Sequence, residues 1–217
     1  MPSSAHKLAA LCAALLLMVS SCRKQAPKEP ASGPNPFAQS EEPKPVQKPV
    51  EKKCETLDEP CDVKADTWVE IGEAAQFQPA EGWVYAKQEA VSVAKNKEGA
   101  AGIAYRIVSS PLKPKKDTAG VVDALKPVLE ALDAQVSEKS IKNQLKESGV
   151  IDDKGKLKLA TWQLEGKIGG EDGVVIIVVA TLDSDKGLVG AVALKKDAVQ
   201  DNVEAVQKAY RSVRSSQ

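Results

Sequence analysis

The chain has 217 residues, and its 30 Lys and Arg residues balance its 30 Asp and Glu residues. A net charge near zero argues against a nucleic-acid partner or a polybasic membrane patch, because both need clustered positive charge. The only histidine is His6. It lies in a leader that we expect to be removed, which excludes Ser-His-Asp catalysis, Cys-His catalysis and histidine-ligated metals in the mature chain. We expect no metal and no other cofactor.

The chain opens with an apolar leader. Residues 8–19 are twelve consecutive apolar residues preceded by Lys7, whereas a membrane-spanning helix needs about 20. A short apolar run after a basic residue is typical of a secretory signal peptide that is cleaved. The following sequence, Val19-Ser20-Ser21-Cys22, resembles the lipobox of bacterial lipoproteins, whose cysteine receives a diacylglycerol. We predict a signal peptide over 1–21 and lipidation of Cys22. An ordinary signal peptide followed by a free cysteine is the alternative.

Lipidation at Cys22 would decide where the protein is located. Each buried methylene contributes about 0.8 kcal/mol, so two or more acyl chains hold a protein stably on a membrane. The sequence thus predicts a membrane partner through the lipid and a place in the bacterial cell envelope. Arg23 stands where some inner-membrane lipoproteins carry aspartate, which favours the outer membrane.

Residues 22–61 are predicted to form a tether. The segment 23–53 contains seven of the thirteen prolines, mixed with Lys, Glu, Gln and Ser, and it cannot bury enough apolar surface to fold. At about 3.1 Å per residue in the polyproline form it could extend on the order of 90 Å. Cys54 and Cys61 are an even pair in an exported chain, which predicts a disulfide closing a small loop at the end of the tether. A two-cysteine metal site is the alternative.

Residues 62–217 are predicted to form one globular domain that begins with short strands. Residues 66–72 indicate one strand, and residues 75–88 indicate two more, flanking Pro79 and Gly82. Residues 90–96 and 101–109 are separated by the turn residues 97–100, which predicts a hairpin.

Helical spacing follows over residues 117–134. Val121, Leu125 and Leu132 share one face, and Asp117 or Thr118 can cap the helix. Pro127 predicts a kink or a restart. Residues 136–149 are ambiguous, with Ile141 and Leu145 suggesting a short helix.

The last part of the chain is predicted to contain strands and a final helix. Residues 156–168 alternate in polarity, and residues 174–182 are apolar on both faces, as expected for a central strand. Residues 187–194 are its predicted hairpin partner. Residues 197–215 predict a helix with Asp197 and Gln200 as a capping box. Together these elements predict an α+β fold, a mainly antiparallel sheet with helices packed on it.

The stretch FQPAEGW, residues 77–83, is similar to the F-x-x-P-x-x-W motif of the PsbP-like superfamily, with the proline one position nearer to the phenylalanine. That superfamily includes many small bacterial envelope lipoproteins. The element order over residues 66–217 and a closing helix that includes Tyr210 resemble that family too. The resemblance implies an α/β/α sandwich and a mostly non-enzymatic role in partner binding or assembly. The disulfide and the long segment 135–156 depart from the family pattern.

Other motifs are interpreted as structural. Asp-rich and Gly-rich stretches at 152–156, 166–173 and 183–187 indicate hairpin turns, since an EF-hand counted from Asp183 would place Leu194 where glutamate is required. The aromatic residues are interpreted as core anchors, with a sugar-stacking platform as the alternative for the tryptophans. They are Trp68, Trp83, Trp162, Tyr85, Tyr105 and Tyr210.

The sequence therefore predicts a non-catalytic envelope lipoprotein that acts through contacts with another envelope protein. A small-ligand carrier with a pocket between sheet and helix is the alternative, and it needs an enclosed apolar cavity. A hydrolase using Glu165, Glu171 or Asp172 is a third hypothesis, and it needs two carboxyl groups about 5 to 10 Å apart. A protein-binding module should instead expose an apolar patch.

Overall fold

The computed structural model describes residues 54–88 and 90–216. Within these ranges the fold consists of two antiparallel sheets and three α-helices. The helices are α1 (Thr118–Ala131), α2 (Glu138–Lys146) and α3 (Val199–Arg211). The strands are β1 (Cys61–Asp62), β2 (Val69–Ile71), β3 (Ala75–Phe77), β4 (Val84–Lys87), β5 (Ser92–Lys95), β6 (Ala101–Val108), β7 (Ala134–Gln135), β8 (Val150–Asp152), β9 (Leu159–Ile168), β10 (Glu171–Thr181), β11 (Gly187–Lys195) and β12 (Arg214–Ser215).

The larger sheet has the strand order β1-β4-β5-β6-β11-β10-β9. Both β7 and β8 pair with the outer side of β9, β7 near its end and β8 near its beginning. The smaller sheet has the order β12-β3-β2. Every pairing is antiparallel, which confirms the predicted mainly antiparallel sheet.

Helices cover both faces of the larger sheet. On one face α1 packs on β6 and β11, and α2 packs on β9. On the other face α3 packs on β6 and β11, while the smaller sheet lies over β4, β5 and β6. The α+β class is confirmed, and the three layers are those that the resemblance implied.

The central strands explain why two covering layers are needed. In β11 every residue except Lys195 is buried. Strand β10 contains all but the last residue of the run 174–182 that was predicted to be apolar on both faces. Burying one Val or Leu side chain contributes about 1.5 to 3 kcal/mol. Leaving either face of these strands in water would forfeit that contribution.

The first helix begins as the sequence predicts, and side chains cap the first two helices. The Asp117 side chain accepts a hydrogen bond from the Gly120 amide at 2.9 Å. In α2 the Ser137 hydroxyl accepts one from the Ser140 amide at 3.1 Å, which confirms the short helix in the ambiguous segment. Helix α1 is assigned as one uninterrupted helix through Pro127, so the predicted restart was wrong. Its buried face continues on both sides of the proline and holds the helix together.

The end of the chain differs from the prediction. The predicted capping box at Asp197 and Gln200 was wrong, because a 3-10 turn precedes α3 and the residue at its start, Ala198, makes no side-chain cap. The helix ends at Arg211 instead of continuing to residue 215. Ser212 accepts a hydrogen bond from the Gln78 amide at 2.7 Å, and the next residues pair with the open edge of β3 as strand β12.

The loop between the cysteines forms the outer edge of the larger sheet. Cys54 and Cys61 are joined by a disulfide with their Cα atoms 5.3 Å apart. The Lys87 amide donates to the Cys54 carbonyl at 2.6 Å, and Leu57 packs against the core. The predicted signal peptide, the lipidation site Cys22 and the proline-rich segment lie outside the described residues. Within the described part, no helix has the length and apolarity needed to cross a bilayer.

A close contact in the middle of the fold links the two sheets. Tyr105 in β6 is fully buried, and burial raises the pKa of its hydroxyl well above the usual value. Its ring packs edge to face on Phe77 of the smaller sheet, with centroids 5.1 Å apart. It also lies against Gly190, its register partner in β11. A Cβ at Gly190 would stand 2.2 Å from Cδ1 of Tyr105, so the ring requires glycine there.

We expect Gly190→Ala to lower the free energy of unfolding by about 2 to 3 kcal/mol, the usual cost of overpacking a core. Denaturant unfolding followed by circular dichroism measures this change. As the control, the same substitution is made in a Tyr105→Leu background, where it should cost clearly less. An equal cost in both backgrounds would mean that the ring is not the cause.

Candidate functional site

One edge of the larger sheet is left without a covering helix on one of its two faces. On the face that α3 occupies, the helix and the smaller sheet cover β4, β5, β6 and β11, while β8 and β9 lie beyond them. Val150 is 72% exposed and Ile151 is 60% exposed, and within the described residues the other exposed large apolar side chain is Val203 at 37%. Val150, the register partner of Thr161, faces water on the α3 side of the sheet, whereas Ile151, the register partner of Ala160, faces water on the side of α1 and α2.

A groove adjoins this strand. It has a volume of about 210 Å³, and its lining combines apolar side chains with a few polar ones. The lining residues are Val150, Thr161, Gln163, Ile176, Val178 and Tyr210. We name Val150, Ile151 and this groove the β8 surface. In the register, Val150 stands opposite Thr161 and Ile151 opposite Ala160, so alternate residues of β8 present apolar groups to both faces of the sheet.

The beginning of β8 is held in place by a tryptophan. The Trp162 indole N–H donates to the Glu147 carbonyl at 3.3 Å. A Cβ at Gly149 would lie 2.7 Å from the Trp162 ring, so only glycine lets the chain pass this close. The Thr161 hydroxyl donates to the Val150 carbonyl at 3.1 Å. These contacts fix the strand while its side chains remain in solvent.

The Asp152 carboxylate fixes the other end of β8 to α3. It accepts hydrogen bonds from the Tyr210 hydroxyl, from Nε of Arg211 at 2.9 Å and from the Lys154 amide at 3.0 Å. Burial raises the pKa of Asp152, but these hydrogen bonds together outweigh it and the net pKa is lowered. The pKa of Tyr210 is raised, chiefly by burial and secondly by the hydrogen bond to Asp152. At neutral pH the carboxylate is charged and the phenol is neutral.

An apolar edge strand is unusual unless something binds it. Sheet edges present unpaired backbone groups, and proteins commonly protect them with charge, proline or a covering element. In β8 the two exposed residues are instead apolar and are fixed at both ends. A surface that is ordered before binding loses less entropy when a partner docks. The arrangement suits the docking of another polypeptide.

The acids proposed for catalysis are not gathered in a cleft. Glu165, Glu171 and Asp172 are all exposed, and the Glu171 carboxylate pairs with Lys195 Nζ at 3.0 Å. Glu165 and Asp172 project from the opposite face of the hairpin to Glu171, as strand alternation requires. Among the described residues no group of three or more Cys, Asp, Glu or His could hold a metal ion.

The tryptophans do not form a sugar-stacking platform. Trp83 and Trp162 are each 5% exposed and belong to core clusters on opposite faces of the larger sheet. Their prediction as core anchors is confirmed. Trp68 is only half-buried, and the guanidinium of Arg214 lies over its ring at 3.7 Å, so its prediction as a core residue was wrong.

The three Asp-rich or Gly-rich stretches lie at hairpin turns, as predicted. The turn at Gly169 and Gly170 is tight, because both residues adopt positive φ and the strands continue on either side of them.

The sequence interpretation missed the contact between Asp152 and Tyr210. Asp152 was treated as a turn residue and Tyr210 as a core anchor, and 58 residues separate them in the chain. A local signal for β8 does exist. Val150 and Ile151 are two β-branched residues between Gly149 and Asp152, which is the composition of a short strand.

No protein-family model and no curated protein sequence matches the chain. Among solved structures the chain is similar to the cyanobacterial PsbP (CyanoP) of Synechocystis sp. PCC 6803, with 12% identity over 69% of this chain and 92% of that one, at a TM-score of 0.43. It is also similar to LpqN, involved in cell envelope biogenesis of Mycobacterium tuberculosis, with 13% identity over 73% and 90% of the two chains and a TM-score of 0.28.

A crystal structure from Bacteroides thetaiotaomicron VPI-5482 shares 8% identity over 69% of this chain, at a TM-score of 0.43. The present chain spans about half of that protein, 47% of its length. All three TM-scores lie below 0.5, so family membership does not follow from them. The functional conclusion depends on the residues of this chain.

We expect Asp152→Asn to lower the free energy of unfolding by about 2 kcal/mol at pH 7, since hydrogen bonds to a charged group contribute about 1.5 to 3 kcal/mol. The pKa of Asp152 is lower in the folded state than the unfolded value of about 3.9. Its stabilisation is therefore fully present above that value and is lost as the pH falls through the folded-state pKa. The difference in the free energy of unfolding between Asp152→Asn and the parent protein should become smaller below about pH 4.

Denaturant unfolding at a series of pH values measures this difference. Asp153→Asn is the matched control, because Asp153 is the exposed neighbouring acid and surface substitutions usually change stability by less than about 0.5 kcal/mol. Equal effects of the two substitutions at pH 7 would contradict the role given to Asp152.

Proposed function

We propose that the protein is a non-catalytic lipoprotein of the bacterial cell envelope that binds another protein at the β8 surface. The observation that carries this proposal is the exposure of Val150 and Ile151 in a strand fixed at both ends. Buried apolar groups at the centre of an interface supply much of the binding free energy. The partner is an envelope protein that adds an extended segment to the edge of β8.

The free strand edge and the adjoining groove support a polypeptide as the occupant. The exposed edge of β8 offers backbone groups for pairing, and the groove beside it can take an apolar side chain of an added strand, as in β-augmentation. The tether of this chain is a poor occupant, because prolines cannot donate to a strand ladder.

The position of β8 suits an anchored protein. The described chain begins at Cys54, beside β4, at the opposite edge of the larger sheet from β8. Seven strand spacings of about 4.8 Å separate the two edges, roughly 34 Å in all. A lipid on Cys22 would therefore be connected, through the tether, to the edge of the sheet opposite the β8 surface.

The other two hypotheses gain no support from the described residues. Buried side chains from α1 and from the sheet fill the space between them, which is where a carrier would need its cavity. The grooves described on the surface open to solvent. The acids considered for hydrolysis are exposed on a hairpin.

We expect a photo-crosslinking amino acid at Gln163, an exposed groove residue, to give a discrete adduct with one envelope protein in the native host. The double substitution Val150→Lys and Ile151→Lys should reduce this adduct at least about tenfold, because it removes apolar contact area at the centre of the interface. Immunoblotting measures the adduct, and mass spectrometry identifies the partner.

Val203→Lys is the matched control, since Val203 is also an exposed valine but lies on α3 and does not line the groove. It should leave the adduct unchanged. An adduct that survives the double substitution, or that is lost equally in the control, would rule out the β8 surface as the binding site.

We expect radiolabelled palmitate to be incorporated into the native protein and Cys22→Ser to abolish the label, because the acyl chains would be carried by that residue. Gel fluorography of the immunoprecipitated protein measures the incorporation. Cys61→Ser is the control and should retain the label. Label that persists in Cys22→Ser, or that is absent from the parent, would contradict the lipid anchor.

A further inference from the structure

Among the described residues, Arg214 has no acidic partner, although a half-buried arginine usually has one. Its guanidinium lies over the Trp68 ring, with Cζ 3.7 Å from the ring centroid. Its Nε is buried and meets no acceptor, and no ion pair within the described ranges includes it. Stacking on tryptophan stabilises a cation, but it supplies neither a countercharge nor a hydrogen-bond acceptor.

A cleft beside Arg214 contains positive charge and no acid. It has a volume of about 490 Å³ and lies where β12 joins the smaller sheet. Its lining residues are Gln76, Lys156, Leu157, Arg214 and Ser215. Two cations and an amide thus line one space, while the register places the Ser215 side chain on the opposite face of β12.

The acid nearest to Arg214 in the register of the smaller sheet already forms an ion pair. Glu70 in β2 stands opposite Gln76, and Gln76 stands opposite Arg214. The Glu70 carboxylate binds Lys87 Nζ, and Glu70 does not line the cleft. The charge of the cleft is therefore not balanced by this carboxylate.

We propose that this cleft binds the phosphate group of an organic molecule. A guanidinium presents a fork of donors that matches phosphate oxygens, and a lysine adds a point charge. Two cations suit a phosphate better than a group with one negative charge. A cleft of about 490 Å³ also has room for the remainder of the molecule. The phosphate comes either from a soluble ester or from a lipid headgroup. This inference does not depend on the β8 surface, which lies elsewhere.

Trp68 provides the readout, because a ligand at Arg214 changes the surroundings of the indole. The full chain, purified in a neutral detergent, is titrated with inorganic phosphate and with glycerol 3-phosphate while tryptophan emission is followed. Detergent micelles doped with phosphatidylglycerol or with phosphatidylcholine form the lipid arm. We expect a saturable change of emission that Trp68→Phe abolishes.

Two substitutions test the residues that would hold the phosphate. Arg214→Gln should weaken binding at least tenfold, and Lys156→Gln should weaken it severalfold. Lys158→Gln is the matched control, since Lys158 is exposed and does not line the cleft. Circular dichroism establishes that each variant is folded. If Arg214→Gln unfolds the protein, the comparison of Lys156→Gln with Lys158→Gln still tests the proposal.

The outcomes separate the two sources. If glycerol 3-phosphate changes the tryptophan emission at least as much as the lipid does, the ligand is a soluble phosphate ester. If only phosphatidylglycerol changes the emission, the ligand is a lipid headgroup. No response to any probe overturns the proposal. A response that is equal in the parent, Arg214→Gln and Lys156→Gln also overturns it.

Discussion

The fold depends on the burial of β10 and β11 on both faces. These strands are apolar on each side, so a layer is required above and below them. Helices α1 and α3 pack on β11 from the two sides, and the core clusters to which they belong include buried residues of β10. A helix is about 10 Å wide and covers roughly two strands. The larger sheet is wider than its covering elements on the α3 side. An uncovered edge at β8 and β9 follows directly from this mismatch.

The uncovered edge remains ordered because polar contacts replace the missing layer. Asp152 joins β8 to Tyr210 and Arg211 in the last turn of α3, and Trp162 holds the chain before the strand. Neither contact covers Val150 or Ile151. The protein thereby keeps an apolar edge in a fixed conformation, which is the property that a docking site for another polypeptide needs.

Much of the fold could be predicted locally. Alternating polarity located β9, the continuous apolar run located β10, and Asp117 marked the start of α1. The predictions failed where contacts with residues distant in sequence outweighed the local preference. Pro127 did not interrupt α1 because buried side chains hold the helix on both sides. The last residues left the helix because β3 offered an unpaired edge more than 130 positions earlier, as the separation of Gln78 and Ser212 shows.

The sequence by itself determined the α+β class, the central strands, the pairing candidates Cys54 and Cys61, and the absence of histidine beyond His6. These properties depend on composition and on short-range periodicity, which can be read along the chain. Only the tertiary structure decided that Val150 and Ile151 face water, that Asp152 meets Tyr210 and that Arg214 lies over Trp68. The physical reason is that exposure and pairing are set by which layer covers which strand, and that depends on contacts between residues far apart in sequence.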